Sequence, residues 1–309
     1  MTDFSFPEKP NYNFTKEQTL ERKKLLKNKV EHIKFKDLKN TNELIEAYSK
    51  SSFQARKIGE GAKLYKKELN RGTTIIWSLA GSIFSAGLRE LVIDSVRKNL
   101  VDCLVCTGAL FEQDMLEALG YNHYVQTEEI EDKTLQNLLI DRIYDHLLDE
   151  IELQHVDETY KKIAKQMDSG NYSSREFMEY CGKWLSNVKD ANDSVILAAY
   201  EMNVPIFIPA INDCSIGIGL AMNQSEVKNG ISIDSIKDLR EIAKMKDLCG
   251  DSGIVIVGGG VPKNYSQDSV VMAEMLGYKV KKHRFGIQIS TADPRDGGII
   301  RLNAQRSHI

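Results

Sequence analysis

The feature that most constrains the fold is a glycine turn directly after an apolar run, GIVIVGGGVPK at residues 253–263. Residues 254–257 are apolar and β-branched, which is typical of a buried parallel strand. The three glycines that follow let a ligand approach main-chain N–H groups closely, and residues 266–276 have a helical pattern. Strand, glycine turn and helix together predict a phosphate or dinucleotide site. The spacing is not GxGxxG, so an ordinary tight turn without a ligand is the alternative.

The same pattern occurs earlier in the chain. Residues 73–80 and 101–107 are predicted strands, and each is followed by a small-residue turn that leads into a helix. A shorter strand at 204–208 ends in a turn that contains Asp213. Because the carboxyl ends of parallel strands meet at one edge of a sheet, we expect these turns to lie together. The fold class predicted is α/β, with a Rossmann-like, doubly wound, mostly parallel sheet and an N-terminal helical extension.

The rest of the chain is divided on the same criteria. Residues 1–40 are predicted to form an extension with a charged helix, and residues 41–309 a single α/β domain. Within that domain, residues 128–188 and 231–245 have a helical pattern. Residues 280–289 are predicted to form the last strand.

Composition excludes several classes of function. A net charge of −3 gives no reason to expect a nucleic acid partner, and no apolar run is long enough to cross a bilayer. The N-terminus has no secretion signal, so we expect a cytoplasmic protein. Five cysteines do not form a disulfide framework, and Cys103 and Cys106 should face opposite sides of a strand as structural thiols. No spacing of histidines, cysteines and carboxylates predicts a metal site.

Three carboxylates, those of Glu112, Asp114 and Asp213, are the nearest to the predicted ligand edge. A carboxylate at the end of a strand binds sugar hydroxyls or a cationic group, although capping an Asx turn is the alternative for Asp213. Together with main-chain donors from the glycines, they predict a pocket for a nucleotide and a polar or cationic small molecule.

Five sequence blocks, in order, resemble those of the deoxyhypusine synthase family. They are SFQAR at 52–56, GSIFSAGLRE at 81–90, VDCLVCTGALFEQD at 101–114, VPIFIPAIND at 204–213 and GGGVPK at 258–263. The resemblance extends over roughly residues 40–298. It implies a Rossmann-like NAD-binding domain and a homotetramer, a dimer of dimers with sites between paired subunits.

The resemblance also implies a reaction and a cofactor. In that family NAD takes a hydride from spermidine, and an aminobutyl group passes through an enzyme lysine to a lysine of an eIF5A-type translation factor or, as in homospermidine synthase, to a small amine. The family's NAD contacts match Ser82, Ser85, Thr107, Gly108, Gln113, Asp213, Gly259, Thr291 and Ala292. Gln113 stands where the family has Glu, and its amide can still hydrogen-bond a ribose hydroxyl.

The amine side departs from the family pattern. The residues expected to bind the substrate are Glu112, Ile218 and Asn264. Ile218 stands where the family has an aspartate for a spermidine ammonium, and Asn264 replaces a histidine. The family's EAVSWGK segment, which carries the imine-forming lysine, has no counterpart in residues 297–309, so no catalytic residue is assigned.

Three hypotheses follow from these departures. The first is a polyamine-oxidising aminobutyl transferase with a protein or small-amine acceptor. The second is an NAD-dependent enzyme of the same fold that acts on a different substrate. The third is a catalytically inactive paralogue that pairs with an active subunit.

Overall fold

The structure is a computed structural model that describes residue 6 and residues 9–291. It divides into two compact units, Met1–Glu68 and Leu69–Ile309. The boundary of an NAD-binding domain after residue 40 is a statement about function and stays a prediction.

The first unit is helical. It contains α1 (Lys16–Leu25), a 3₁₀ turn (Phe35–Asp37), α2 (Thr41–Ser49) and α3 (Phe53–Leu69), whose last residue falls in the second unit. Thr15 caps α1 in a capping box with Gln18. A Cβ on Gly59 would overlap the backbone of Ser49, so a glycine lets α2 and α3 approach closely.

The second unit alternates strands and helices. Its strands are β1 (Thr74–Leu79), β2 (Cys103–Cys106), β3 (Tyr124–Val125), β4 (Ile140–Ile143), β5 (His146–Asp149), β6 (Gly170–Tyr172), β7 (Ile206–Phe207), β8 (Ile231–Ile233), β9 (Ser252–Val257) and β10 (Phe285–Ile289). Its helices are α4 (Arg89–Arg97), α5 (Gly108–Ala118), α6 (Asp132–Leu138), α7 (Glu150–Lys165), α8 (Ser174–Leu185), α9 (Val195–Glu201), α10 (Ser215–Glu226), α11 (Ser235–Cys249) and α12 (Gly260–Met275). A π-helical turn (Phe84–Leu88) precedes α4.

The central sheet has five strands in the order β10-β9-β1-β2-β7, and every pairing is parallel. The chain builds the sheet outwards from β1 through β2 to β7, then crosses back to add β9 and β10 on the other side of β1. The strand order therefore reverses between β1 and β9, which is where ligands bind in doubly wound sheets. The predicted α/β class with a parallel sheet is confirmed.

Apolar side chains cover both faces of this sheet. Leu104 and Cys106 belong to a large cluster on one face, and Cys103 and Val105 to a smaller cluster on the other. This is the alternation expected of a strand, and each fully buried large apolar side chain contributes about 1.5–3 kcal/mol. All five cysteines are free thiols.

Two segments differ from the predicted helices. Within residues 128–188, β4 and β5 form an antiparallel hairpin, and β3 adds to it. The hairpin turn places Tyr144 in a left-handed conformation (φ 59°), which a sequence rule based on glycine and asparagine does not detect. Within 231–245, β8 pairs with β6, and α11 begins only after Asp234 caps it.

Two other element boundaries differ from the predicted ones. The helix predicted from residue 266 begins at Gly260, and the last strand begins at Phe285 rather than 280. Among the described residues, no helix is both long and apolar enough to span a bilayer.

Candidate functional site

A cavity of about 470 Å³ lies at the carboxyl ends of β1, β2, β7 and β9. This size falls within the roughly 300–1,000 Å³ that is usual for small-molecule and cofactor sites. The residues that line it come from the turns after those strands: Ala80, Gly81, Ser82, Cys106, Thr107, Gly108, Ala109, Pro209, Ala210, Asp213, Gly258, Gly259, Gly260, Val261 and Pro262. Turns far apart in sequence thus meet at the switch point of the sheet, as predicted.

The glycine turn after β9 has a backbone that only glycine adopts readily. Gly258 and Gly260 have φ values of 81° and 62°, and a Cβ on Gly258 would lie 3.0 Å from the carbonyl oxygen of Ala80. The Gly258 N–H donates to the Ile289 carbonyl (2.8 Å), and the Gln288 amide donates to the Gly258 carbonyl (2.9 Å). The turn is therefore held between β1 and β10, with the N-terminus of α12 beside the cavity.

The turn after β2 presents a second helix N-terminus. α5 begins at Gly108, and its N-cap residue Thr107 makes no capping hydrogen bond with its side chain. The Thr107 hydroxyl is buried and has no hydrogen-bond partner among the described residues. A Cβ on Gly108 would overlap Sγ of Cys214, so glycine allows α5 to start close to the turn after β7. An unpaired buried hydroxyl is costly, and Thr107 is one of the residues that line the cavity.

The turn after β1 carries Ser82 and Ser85. Ser82 lines the cavity, and the Ser85 hydroxyl donates to the Ser82 carbonyl (3.0 Å). The Ser85 N–H donates to Oε1 of Gln113 (3.1 Å), whose residue is only 3% exposed. Gln113 thus contacts the turn rather than the cavity wall, and its contact with a ribose stays a prediction.

The turn after β7 contributes a carboxylate and a third helix start. Asp213 is exposed and lines the cavity, and its N–H donates to the Ala210 carbonyl (3.2 Å). α10 begins two residues later at Ser215, whose N–H donates to Oε2 of Glu112 (2.9 Å). An exposed carboxylate in this position can accept hydrogen bonds from sugar hydroxyls.

Carboxylates with raised pKa values lie next to this turn. Burial raises the pKa of Glu112, and the nearby charge of Asp157 raises it further, while hydrogen bonds from Ser215 lower it. Burial also raises the pKa of Asp157. Negative charge crowded into a partly buried space favours a cationic ligand such as an ammonium group.

The cavity brings together Ser82, Thr107, Gly108, Asp213 and Gly259 among the residues singled out from the sequence. Ser85, Gln113, Glu112, Ile218, Asn264 and Thr291 do not line it. Ile218 is 49% exposed on α10, Asn264 is exposed on α12, and Thr291 is exposed after β10. Ala292 and the segment 297–309 lie outside the described residues. The individual binding roles stay predictions.

Asp114 has a role that sequence reasoning missed. It is fully buried, and it pairs with Nε of Arg89 (2.7 Å) instead of facing a ligand. Its two oxygens also accept the N–H groups of Val195 (2.9 Å) and Ile196 (3.0 Å) at the start of α9. The partners are 25, 81 and 82 residues away in sequence, so no local pattern reveals them.

Two lysines of the second unit are buried, and only one of them, Lys263, lies on a helix that borders the cavity. Lys263, in the first turn of α12, and Lys246, near the end of α11, both have pKa values lowered by burial. No group of three or more histidines, cysteines and carboxylates in residues 9–291 is arranged to hold a metal ion.

Comparison with known proteins identifies the family. Residues 43–300 match the family model of deoxyhypusine synthase. The chain is 42% identical to a deoxyhypusine synthase-like protein of Chlorobaculum parvum over 287 residues, which cover 92% of this chain and 82% of the relative. It is also 42% identical to a deoxyhypusine synthase-like protein of Coxiella burnetii, over 89% of this chain and 79% of the relative.

A solved structure supports the fold. The deoxyhypusine synthase structure from Entamoeba histolytica superposes with a TM-score of 0.58 at 21% identity, covering 85% of this chain and 88% of that one. The chain belongs to the deoxyhypusine synthase family.

Proposed function

We propose that the cavity binds NAD and that the protein is an NAD-dependent transferase. It would oxidise spermidine or a related amine and transfer an aminobutyl group to an amine acceptor. The observation that carries this proposal is the cavity at the switch point, where α5 and α12 begin at Gly108 and Gly260. Main-chain N–H groups at helix N-termini suit the pyrophosphate of a dinucleotide.

The residues present fit such a cofactor. The unpaired Thr107 hydroxyl is a free donor beside the cavity, and the Asp213 carboxylate is an acceptor for ribose hydroxyls. The glycines at 258–260 leave room for a phosphate against the main chain. When bound, NAD supplies the acceptor for the hydride that the carbon next to the amine nitrogen loses.

The amine would lie towards Glu112 and Asp157. Their carboxylates attract ammonium groups, and their partial burial strengthens that attraction relative to water. In the net reaction, spermidine gives its aminobutyl group to the acceptor amine and releases 1,3-diaminopropane. The acceptor that we propose is a lysine of an eIF5A-type protein or a small amine, and the assembly that we propose is a homotetramer.

A second candidate is an NAD-dependent enzyme of the same fold that acts on a different substrate. The exposed Ile218 on α10 favours it, because it puts an apolar side chain where the family has an aspartate. An apolar group there selects against a second ammonium and for a less highly charged amine.

The experiment is to incubate the purified protein with NAD and spermidine and to measure 1,3-diaminopropane by mass spectrometry. Its formation without an added acceptor supports the transferase, because oxidation and cleavage of spermidine precede transfer. If calorimetry shows NAD binding and no 1,3-diaminopropane forms, spermidine is not the donor, and a panel of other amines tests the second candidate. If NAD does not bind at millimolar concentration, the proposed function is wrong.

A further inference from the structure

We infer that three consecutive side chains of α5, Glu112, Gln113 and Asp114, are positioning residues that anchor, in that order, the turn after β7, the turn after β1 and the start of α9. The three are adjacent in sequence and point in different directions, since successive residues of an α-helix are rotated by about 100°. Each accepts a hydrogen bond from a main-chain N–H in a different part of the chain. We call them the α5 triad.

Glu112 fixes the start of α10. Its Oε2 accepts the N–H of Ser215 (2.9 Å), the first residue of that helix, two residues after Asp213. The N-cap residue of α10, Cys214, makes no capping hydrogen bond through its side chain. Glu112 therefore supplies from α5 the acceptor that a capping side chain usually provides, and a negative charge at a helix N-terminus is favourable.

Gln113 fixes the turn after β1. Its Oε1 accepts the N–H of Ser85 (3.1 Å), inside the π-helical turn that ends at Leu88. This turn contains Gly87 in a left-handed conformation (φ 87°), and Ser82 at its entry lines the cavity. A buried amide anchored to a main-chain N–H holds Ser82 in place without touching a ligand.

Asp114 fixes the start of α9 and the start of α4. Its carboxylate accepts the N–H groups of Val195 and Ile196, and it pairs with the Arg89 guanidinium (2.7 Å). Arg89 is the first residue of α4 and directly follows the turn that Gln113 holds. A second hydrogen bond joins Arg89 to the carbonyl of Asp193, so Arg89 reaches the residue before the α9 N-cap while Asp114 reaches the first two residues of α9. The buried pair thereby ties α4, α5 and α9 together.

The triad explains how the cavity keeps its shape. α5 starts at the cavity with Gly108, and within its second turn it connects to the turns after β1 and β7. Ser82 and Asp213, which both line the cavity, are each within three residues of an anchored N–H. The effect on NAD binding rests on the proposed function, whereas the effect on the turns does not.

The experiment is hydrogen–deuterium exchange with fragmentation to single residues, on the full-length protein and three variants. Glu112→Ala should speed exchange at Ser215, Gln113→Ala at Ser85, and Asp114→Ala at Val195 and Ile196. We expect the rates at Ser215 and Ser85 to rise roughly 5- to 10-fold, the loss of about one hydrogen bond. The rates at Val195 and Ile196 should rise more, because Asp114→Ala also leaves the buried Arg89 without its partner. Asp94→Ala is the control, because its exposed carboxylate pairs with the side chain of Lys98 on the surface of α4.

A conservative series separates positioning from general loosening. Gln113→Glu and Glu112→Gln keep an acceptor oxygen and should restore slow exchange at Ser85 and Ser215.

In calorimetry, Gln113→Ala should weaken NAD binding about fivefold and Gln113→Glu should recover it. The inference is wrong if every variant speeds amide exchange in all three segments together. It is also wrong if exchange at the three sites does not change. Absence of NAD binding in the unmodified protein would overturn the proposed function alone, since the exchange data still decide the role of the triad.

Discussion

The two proposed halves of the candidate site consist of different kinds of chemical group. The proposed cofactor half consists of main-chain turns at Gly258, Gly260 and Gly108, with hydroxyl and carboxylate groups from Thr107 and Asp213. The proposed amine half lies outside the cavity lining and consists of side chains, chiefly the partly buried carboxylates of Glu112 and Asp157 and the exposed Ile218. The glycine motif of the resemblance recurs in the first half, and in the second half Ile218 stands where the resemblance implies an aspartate.

This difference has a physical reason. A main-chain donor is present whatever the side chain is, so the cofactor half depends on backbone conformation and on a few glycines. An ammonium site depends on the charge of particular side chains, and one substitution removes a charge. The cofactor half therefore constrains the fold, and the amine half can change its substrate without changing the fold.

The largest effect on ligand affinity is expected from a substitution in the glycine turn of the cofactor half. Gly258→Val should weaken NAD binding on the order of 100-fold, or about 2.7 kcal/mol, because a side chain there meets the carbonyl of Ala80 and disfavours a φ of 81°. Calorimetric titration with NAD measures this. Gly277→Val is the matched control, since Gly277 also has a positive φ (87°) but has open space around it after α12. Equal weakening in both variants would mean that strain, and not the site, is responsible.

A change of pH should separate the two halves. Burial raises the pKa values of Glu112 and Asp157, so on acidification they gain protons, and lose their negative charge, at a higher pH than ordinary carboxylates do. Amine affinity should fall as the pH is lowered from 7, whereas NAD affinity should change less, because main-chain N–H groups do not titrate there. Isothermal titration with spermidine and with NAD at each pH checks this.

The titration of Glu112 and Asp157 does not itself favour unfolding on acidification. A carboxyl group whose pKa is raised in the folded state binds its proton more tightly there than in the unfolded chain. For these two groups, stability is therefore greatest below the unfolded pKa and falls as the pH rises through the folded pKa. Glu112→Gln removes one titrating group and should flatten the spermidine profile. A profile that remains as steep in this variant would place the amine elsewhere.

A smaller effect tests the unpaired hydroxyl in the cofactor half. Thr107→Val replaces the buried hydroxyl by a methyl group of similar shape, which should weaken NAD binding about fivefold and leave the unliganded protein equally or more stable. Thermal unfolding and calorimetry on the same preparations measure the two quantities. Thr107→Ser keeps the hydroxyl and is the control. A variant that loses stability but not affinity would assign the hydroxyl to the fold instead of the ligand.

Much of the fold could be predicted from the sequence, because β1, β2 and β9 are continuous apolar runs that end in small-residue turns. The hairpin at β4 and β5 could not, since its strands are short and mostly partly exposed, and its turn uses Tyr144. In the site, the cavity-lining glycines followed from local patterns. The α5 triad did not, because its partners, such as Ser85 for Gln113, are distant in sequence and meet only when the sheet is complete.

The smallest effect on ligand affinity is expected from a substitution that adds a charge to the amine half. Ile218→Asp places a carboxylate where the family has one, and spermidine affinity should rise about threefold. The gain is modest because the position is 49% exposed, and solvent screens a charge there. Ile218→Asn is the matched control, with nearly the same size and no charge, and it should leave the affinity unchanged.

Calorimetry with spermidine and with 1,3-diaminopropane, which lacks the four-carbon arm, then shows whether the new charge contacts the end of that arm. An equal gain for both ligands would mean general attraction, and a loss for spermidine would mean that the apolar side chain is itself a substrate contact, favouring the second candidate function.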